Sequence, residues 1–432
     1  MKIVDIAAED VRFPTSRTLA GSDAMHVDPD YSAACAIVRC EGTSSPEGHG
    51  LAFTIGRGNE IVVRAIESLR PLVVGRDAES LFADMGVFAR SLSGDSQLRW
   101  IGPEKGAIHM AMAAILNAVW DLMAKVRGVP LWRLLLSMSP EEIVALIDFR
   151  YLTDALTPAE ALAILRGRLG DRAGRERLLA QDGIPGYITS AGWIGYSDDK
   201  VRRLCKEAIA DGFTRLKMKV GAEPEQDYAR AKLLRSEIGS DRVLMMDANQ
   251  RWDVGEAIER MRTLAEFDPW WIEEPTSPDD VLGHAAIARA VAPIRVATGE
   301  MVQNRVVFKQ LFQARAIDVA QIDACRLGGV NEVLAVMLLA AKHGVPVCPH
   351  AGGVGLCEYV QHLSAFDLMA LAPAVEHRWV EFADHLHEHF VHPVTIERGA
   401  YRLPEAPGYS VEIHEQSRRE HAFPHGAVWA VG

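Results

Sequence analysis

The chain has 432 residues, 49% hydrophobic and 24% charged, an ordinary globular make-up long enough for two domains, one of them barrel-sized. A formal net charge of −12 without any cluster of Lys and Arg excludes a partner held through its phosphate backbone, so no nucleic acid is expected. Six scattered cysteines without a CxxC pair point to free thiols in the cytoplasm; the opening MKIVDIAAEDVRF lacks a signal-peptide pattern, and the longest apolar run, 333–341, falls short of the roughly 20 residues of a membrane span.

In chain order, KIVDIAAEDVRF and AACAIVRC are strand-like, and LAFTIG follows a turn at SSPEGHG. Between the first two strands lies GSDAMHVDPDYS, too polar for an element and too long for a tight turn; loops of this kind often carry binding residues. The period then turns helical in EIVVRAIESLRPLVVG, SLFADMGVFARSL and GAIHMAMAAILNAVWDLMAKVRG, the last stopping at Gly128 before Pro130. Together these make an α+β unit over 1–135. Residues 136–184, including PAEALAILRGRL and RERLLAQ, read as a helical linker without chemistry.

From 185 to 383 strands and helices alternate, and one charged residue follows each of a series of apolar runs. These are Lys219, Asp247, Glu273, Glu300, Asp323 and His350, at intervals of 28, 26, 27, 23 and 27 residues by subtraction. That interval is one strand, one helix and two loops, so the repeat predicts an α/β barrel whose functional residues share one mouth. Residues 384–432 are Pro-rich and strand-like and are expected to return to the N-terminal unit.

Asp247, Glu273 and Glu300, at the ends of successive strands, would stand too close for all three to remain ionised without a cation. An all-oxygen ligand set favours Mg²⁺ over zinc. Taken singly, each acid is equally an ordinary helix-capping residue. Lys217 and Lys219, two apart on a strand, share a face, and two adjacent ammonium groups lower each other's pKa, which suits Lys219 as a base. Asp323 would orient His350 as an acid or base. His109, His343 and His392 read as structural, and the HLHEH run (His385, His387, His389) reads as a surface or interface strand in preference to a zinc site. Asn249 and Glu381 are placed either for substrate contact or for support of the site. With a base and an acid flanking an acidified C–H, reprotonation gives racemisation or epimerisation, and loss of a β-hydroxyl gives dehydration.

The KxK of 217–219, the acids within DANQRW, WIEEP and ATGE, and the Asp…His pair resemble the mandelate racemase subgroup of the enolase superfamily over nearly the whole chain. The resemblance implies a (β/α)7β TIM-like barrel, an α+β capping domain formed by the N-terminal region and the C-terminal segment, and one Mg²⁺ per subunit. GSDAMHVDPDYS, TIGRGNE, WIEEPTSPDD, ACRLGGVNE, PHAGGVGLCEYVQHL and EFADHLHEHF are similar to L-fuconate dehydratases. This implies loss of water from L-fuconate, a small sugar-acid substrate, with Lys219 taking the C2 proton and His350 assisting departure of the 3-hydroxyl. Asp23, Met25, Tyr31, Lys217, Asn249 and Glu381 would then contact substrate. L-galactonate, D-arabinonate and D-altronate stay open as substrates, as does a racemase or epimerase of an α-hydroxy acid. A homo-oligomer without membrane attachment is expected.

Overall fold

Three strands, β1 (Ile3–Arg12), β2 (Ser32–Cys40) and β3 (Gly48–Thr54), pair antiparallel in that order, with Ala8 opposite Ala36 and Ala36 opposite Gly50. The computed structural model describes residues 1–42, 45–102 and 104–430. Ser44, the first residue of the expected SSPEGHG turn, and Val431 and Gly432 of the C-terminal segment lie outside them. Helix α1 (Asn59–Leu69) follows the sheet. The predicted helix SLFADMGVFARSL is two helices, α2 (Ala78–Ala83) and α3 (Met85–Ser93). Asp84 divides them, because its carboxylate accepts the Val87 N–H at 2.8 Å and so starts a new helix.

Helix α4 (Gly106–Arg127) lies on the sheet and ends at Gly128, whose φ of 69° is the left-handed cap expected there. The approach is possible because β3 offers glycine: a Cβ on Gly50 would come 2.1 Å from the Ala114 carbonyl oxygen. By length and composition this helix is long and apolar enough to cross a membrane, although His109, Asn117 and Asp121 interrupt its apolar residues. Its 94% buried window marks it as a core helix, with Ile115, Leu116, Val119 and Trp120 fully inside. Each such side chain contributes about 1.5–3 kcal/mol.

Four helices, α5 (Leu131–Ser137), α6 (Pro140–Ala145), α7 (Pro158–Gly167) and α8 (Arg172–Asp182), lead to the barrel. Capping boxes at Ser139/Glu142 and Thr157/Glu160 start α6 and α7. The barrel strands are β4 (Ile184–Gly192), β5 (Arg215–Lys219), β6 (Val243–Asp247), β7 (Pro269–Glu273), β8 (Arg295–Thr298), β9 (Val319–Ala320) and β10 (Val380–Phe382), all paired in parallel. Val347 bridges Ala320 in the position between β9 and β10, and β10 returns to β4. The connecting helices are α9 (Asp198–Ala210), α10 (Pro224–Ile238), α11 (Val254–Leu264), α12 (Val281–Val291), α13 (Arg305–Gln313), α14 (Gly329–His343) and α15 (Leu356–Ala370), which completes the (β/α)7β order.

The C-terminal segment is less strand-like than its sequence suggests. Among its described residues only β11 (Ile396–Glu397) and β12 (Ala400–Tyr401) form, and β12 pairs with the first residues of β4, on the side of the barrel opposite the strand ends that carry the site. The return to the N-terminal sheet comes later, through α16 (Glu415–Glu420), a bridge from Ala422 to Val11, and Trp429, whose indole N–H donates to the Arg12 carbonyl at 3.1 Å.

Candidate active site

Strand periodicity builds the site in two layers. Met245, Trp271, Ala297, Val319 and Cys348 point into the barrel and pack together with Tyr187 and Trp379. Two positions beyond Met245 and Trp271, on the same face, stand Asp247 and Glu273. Register sets their height, since Lys219 pairs with Asp247 and Asp247 with Glu273 across adjacent strands. Glu300, Asp323 and His350 follow their own strands by two or three residues and complete the ring.

The ring is densely charged. Lys217 Nζ lies 2.7 Å from Glu273 Oε1, 2.7 Å from Glu381 Oε1 and 3.3 Å from Asp247 Oδ2, all of these side chains being buried. Lys219 Nζ is 2.5 Å from Asp247 Oδ2. Burial works against the charge of both lysines, yet the carboxylates around them outweigh it and hold both ammonium groups above their ordinary range. This corrects the expectation of mutually depressed lysines. The downward effect of Lys217 on Lys219 is present, but Asp247 is the stronger neighbour.

The carboxylates divide. Burial, followed by the charge of Asp247, pushes Glu273 up to about 8. Asp247 and Glu381 are also buried, but the lysines bring Asp247 below its usual range and Lys217 with His350 brings Glu381 down to about 2. His350 donates through Nδ1 to Asp323 Oδ2 at 2.8 Å, and its Nε2 lies 3.5 Å from Glu300 Oε2. Against the cost of burial, Glu300 and the Asp323 hydrogen bond raise this imidazole to about 9.

Asp247, Glu273 and Glu300 each offer an oxygen within 4.8 Å of the others, the only such cluster of His, Cys, Asp or Glu among the described residues. Glu300 Oε2 is buried without a hydrogen-bond partner. An orphaned carboxylate oxygen in an all-oxygen set fits a hard divalent cation of the Mg²⁺ kind, which keeps further positions for water or substrate.

Above the cluster lies a cavity of about 340 Å³ between the barrel mouth and the N-terminal sheet. Of the predicted residues, Lys219, Asn249, Glu300, Asp323, His350 and Glu381 line it from the barrel, and Asp23 and Tyr31 from the loop between β1 and β2. The Asn249 Oδ1 is buried and unpaired, open to a ligand. Two predicted contacts are not on the wall. Lys217 lies beneath it, enclosed by carboxylates, and Met25 is 49% exposed because the Asp23 carboxylate captures the Met25 and His26 N–H groups at 2.7 Å, a tight turn that brings His26 to the wall. Arg326, Trp193 and Phe53 also line the cavity and were not anticipated; each sits in a loop or at a strand end without a charge motif of its own.

The HLHEH run is not a strand. It folds as a short 3₁₀ turn, His387–His389, with its rings sent to separate partners. His385 packs between Tyr31 and Trp193, His387 is 2.8 Å from Glu358 Oε1, and His389 is 3.1 Å from Ser417 Oγ. The histidines read as structural fit that role in two cases: His109 is buried 2.7 Å from Glu332 Oε2, and His343 stacks on Phe312.

Residues 14–135 match the family described as mandelate racemase / muconate lactonizing enzyme, N-terminal domain, and residues 200–417 match enolase C-terminal domain-like. The L-galactonate dehydratase of Hypocrea jecorina is 53% identical over 434 residues, covering 99% of this chain and 96% of that protein. The crystal structure of human mitochondrial enolase superfamily member 1 has a TM-score of 0.98 and 52% identity, covering 99% of this chain and 98% of that one. The L-talarate/galactarate dehydratase from Salmonella typhimurium LT2, liganded with Mg and L-lyxarohydroxamate, has a TM-score of 0.74 and 26% identity, covering 97% and 92%.

Proposed function

The chain belongs to the enolase superfamily, with both domains of its mandelate racemase / muconate lactonizing enzyme group, and on that premise we propose that it is a Mg²⁺-dependent dehydratase of six-carbon sugar acids. The observation that carries this reading is the carboxylate cluster flanked by Lys219 on the Asp247 side and His350 on the Glu300 side. In this reading 185–383 is the catalytic unit, 1–135 with 384–432 covers it, and 136–184 joins them. The free, buried cysteines fit a reducing compartment such as the cytoplasm.

Asp247, Glu273 and Glu300 would hold the cation. Bound there, Mg²⁺ supplies positive charge that stabilises the negative charge building on the substrate carboxylate as the C2 proton leaves. Lys219 takes that proton. With Asp247 engaged as a ligand its hold on the lysine proton would weaken, and the nearby Lys217 charge would favour the free amine. Lys217 adds a fixed positive charge under the carboxylate end, and Glu381 is held there by Lys217 and by the Ala351 N–H at 2.8 Å. His350, oriented by Asp323, gives its proton to the departing 3-hydroxyl; the C3–O bond breaks, water leaves, and the enol product tautomerises to the 2-keto-3-deoxy acid.

L-Galactonate takes precedence over L-fuconate, the substrate the motifs alone favour, because a relative of that activity is 53% identical across 99% of the chain. L-Fuconate is the 6-deoxy form of the same acid. Phe53, Ile55, Val62, Met110 and Met301 on the wall offer a methyl group an apolar surface, which supports reading L-fuconate as a second substrate. The test is a panel of acid sugars with Mg²⁺, read as 2-keto acid. Signal on these two acids is expected; silence across the panel with Mg²⁺ bound overturns dehydration. A base-capable group on each side of the cluster also suits racemisation, which would show as C2–H exchange in D₂O without keto acid.

A further inference from the structure

Two imidazoles outside the barrel mouth are anchored to one residue. His389 ends the 3₁₀ turn of the HLHEH run, and His421 directly follows α16. His421 donates through Nδ1 to the Ser417 carbonyl at 3.0 Å, and His389 Nδ1 lies 3.1 Å from Ser417 Oγ, which can accept its proton. A carbonyl only accepts, so the His421 proton sits on Nδ1 and Nε2 keeps a free lone pair. An imidazole tied through Nδ1–H to an oxygen, with Nε2 left bare, is the arrangement of a metal-ligating histidine.

The two rings stand edge to face with centroids 4.9 Å apart, and both pack on Phe13 at 4.6 Å. They line a cavity of about 520 Å³, whose wall carries Asp384 and Glu388 and, among the described residues, no lysine or arginine. His421 Nε2 has no hydrogen-bond partner among the described residues, although the residue is only 9% exposed. His389 Nε2 meets only Glu388 Oε1, at 3.7 Å, too far for a hydrogen bond. That carboxylate is largely exposed and can turn in beside the rings. Burial lowers the His389 imidazole from its ordinary range, so the ring is neutral near pH 7 and its nitrogen is available. The neighbouring histidines are spent elsewhere: His387 is engaged at both nitrogens, by Glu358 and the Ala383 carbonyl, and His385 packs between Tyr31 and Trp193.

We propose that His389 and His421 bind a divalent transition-metal ion, Zn²⁺ foremost, through their Nε2 atoms, with Glu388 turning in as third ligand and water completing the set. Imidazole nitrogens suit Zn²⁺, Ni²⁺ and Cu²⁺, whereas Mg²⁺ takes oxygen, so the barrel-mouth carboxylates and this pair select different ions. The ion ties the residue after α16 to the turn that follows β10, across Phe13 at the end of β1. It thereby clamps the C-terminal segment to the N-terminal sheet.

The experiment is a titration of the whole protein with Zn²⁺ in excess Mg²⁺, which keeps the barrel-mouth carboxylates occupied, read by calorimetry and by melting temperature. His389→Phe and His421→Phe keep a ring against Phe13 and delete the nitrogens. Each should weaken zinc by more than the roughly 10- to 100-fold that loss of an orienting group costs, and Ser417→Ala, which removes only the hydroxyl behind His389, should fall within that range. Glu388→Ala should weaken zinc as well. Zinc should raise the melting temperature of wild type and of neither Phe variant, and zinc-edge anomalous diffraction from zinc-soaked crystals should place a peak between the two rings.

Affinity unchanged in both Phe variants puts the ion elsewhere and overturns the site. Loss in one variant alone overturns it too, because the rings then share no ion, and so does the absence of zinc binding to wild type. If a Phe variant does not fold, the anomalous peak in wild type decides: density between the rings upholds the site, and its absence there overturns it.

Discussion

A Cβ placed on Gly352 would stand 3.1 Å from His350 Nε2 and 3.6 Å from Glu381 Oε1. The glycine therefore sets how far the imidazole can swing towards the cavity. Gly352→Ala is expected to displace the ring by a few tenths of an ångström and to lower kcat by roughly tenfold, since misplacement of about 1 Å costs on the order of 10²-fold. KM and the melting temperature should change little. Equal kcat in the variant would mean that His350 need not sit where it does.

Lys219 and His350 should separate the two halves of the reaction. Lys219→Ala removes the base, and both keto-acid formation and C2–H exchange in D₂O should fall by about 10²–10⁴-fold. His350→Asn leaves the base in place, so exchange should persist while keto acid is lost. Loss of exchange in both variants would show that proton removal needs the histidine as well.

Mg²⁺ should stabilise the fold and release a proton as it binds. Burial and Asp247 hold Glu273 up to about 8, so near pH 7 the group is mostly protonated and has to lose its proton to act as a ligand. Affinity should therefore tighten as pH rises towards 8 and level off above it, with proton release visible in calorimetry run in buffers of different ionisation enthalpy. At a hundredfold excess over Kd, binding adds about 2.7 kcal/mol. Asp247→Asn and Glu300→Gln should each reduce the rise in melting temperature, and chelation should abolish turnover until Mg²⁺ is restored.

Away from the metal site, Glu332 gives the fold a pH dependence. It is buried against His109 at 2.7 Å and Arg305 at 3.0 Å, and despite the cost of burial these partners lower its carboxyl to about 2. A carboxylate depressed in the folded state stabilises fully above its unfolded pKa, near 4.5. That contribution, on the order of a few kcal/mol, is lost as pH falls from there through about 2. Urea unfolding at pH 6 and pH 4 should show a smaller difference for Glu332→Gln than for wild type.

The sequence made the barrel and the ring of functional residues legible because a strand-helix unit imposes a near-constant interval, and each polar residue interrupts an apolar run where the strand must end. Within the loops that regularity is lost. Met25 and His26 are adjacent in a polar stretch, and only the capture of two N–H groups by Asp23 decides which of them turns inward. Lys217 and Lys219 invited a pairwise reading, whereas the carboxylates that dominate them lie on three other strands. The histidine run alternated like a strand, but Glu358, Tyr31 and Ser417 draw its rings apart into a 3₁₀ turn.

The hydrogen bond from Trp429 to Arg12 joins residues 417 positions apart, and Ala422 bridges Val11 beside it. The edge of β1 therefore emerges from the ribosome long before the segment that covers it. At 5–20 residues per second the wait is roughly 20–80 s. The last barrel strand, β10, ends at Phe382, so this edge stands open while every strand of the barrel is being made. Chaperone capture of nascent chains should therefore concentrate on the β1 edge and end when residues near Trp429 are made.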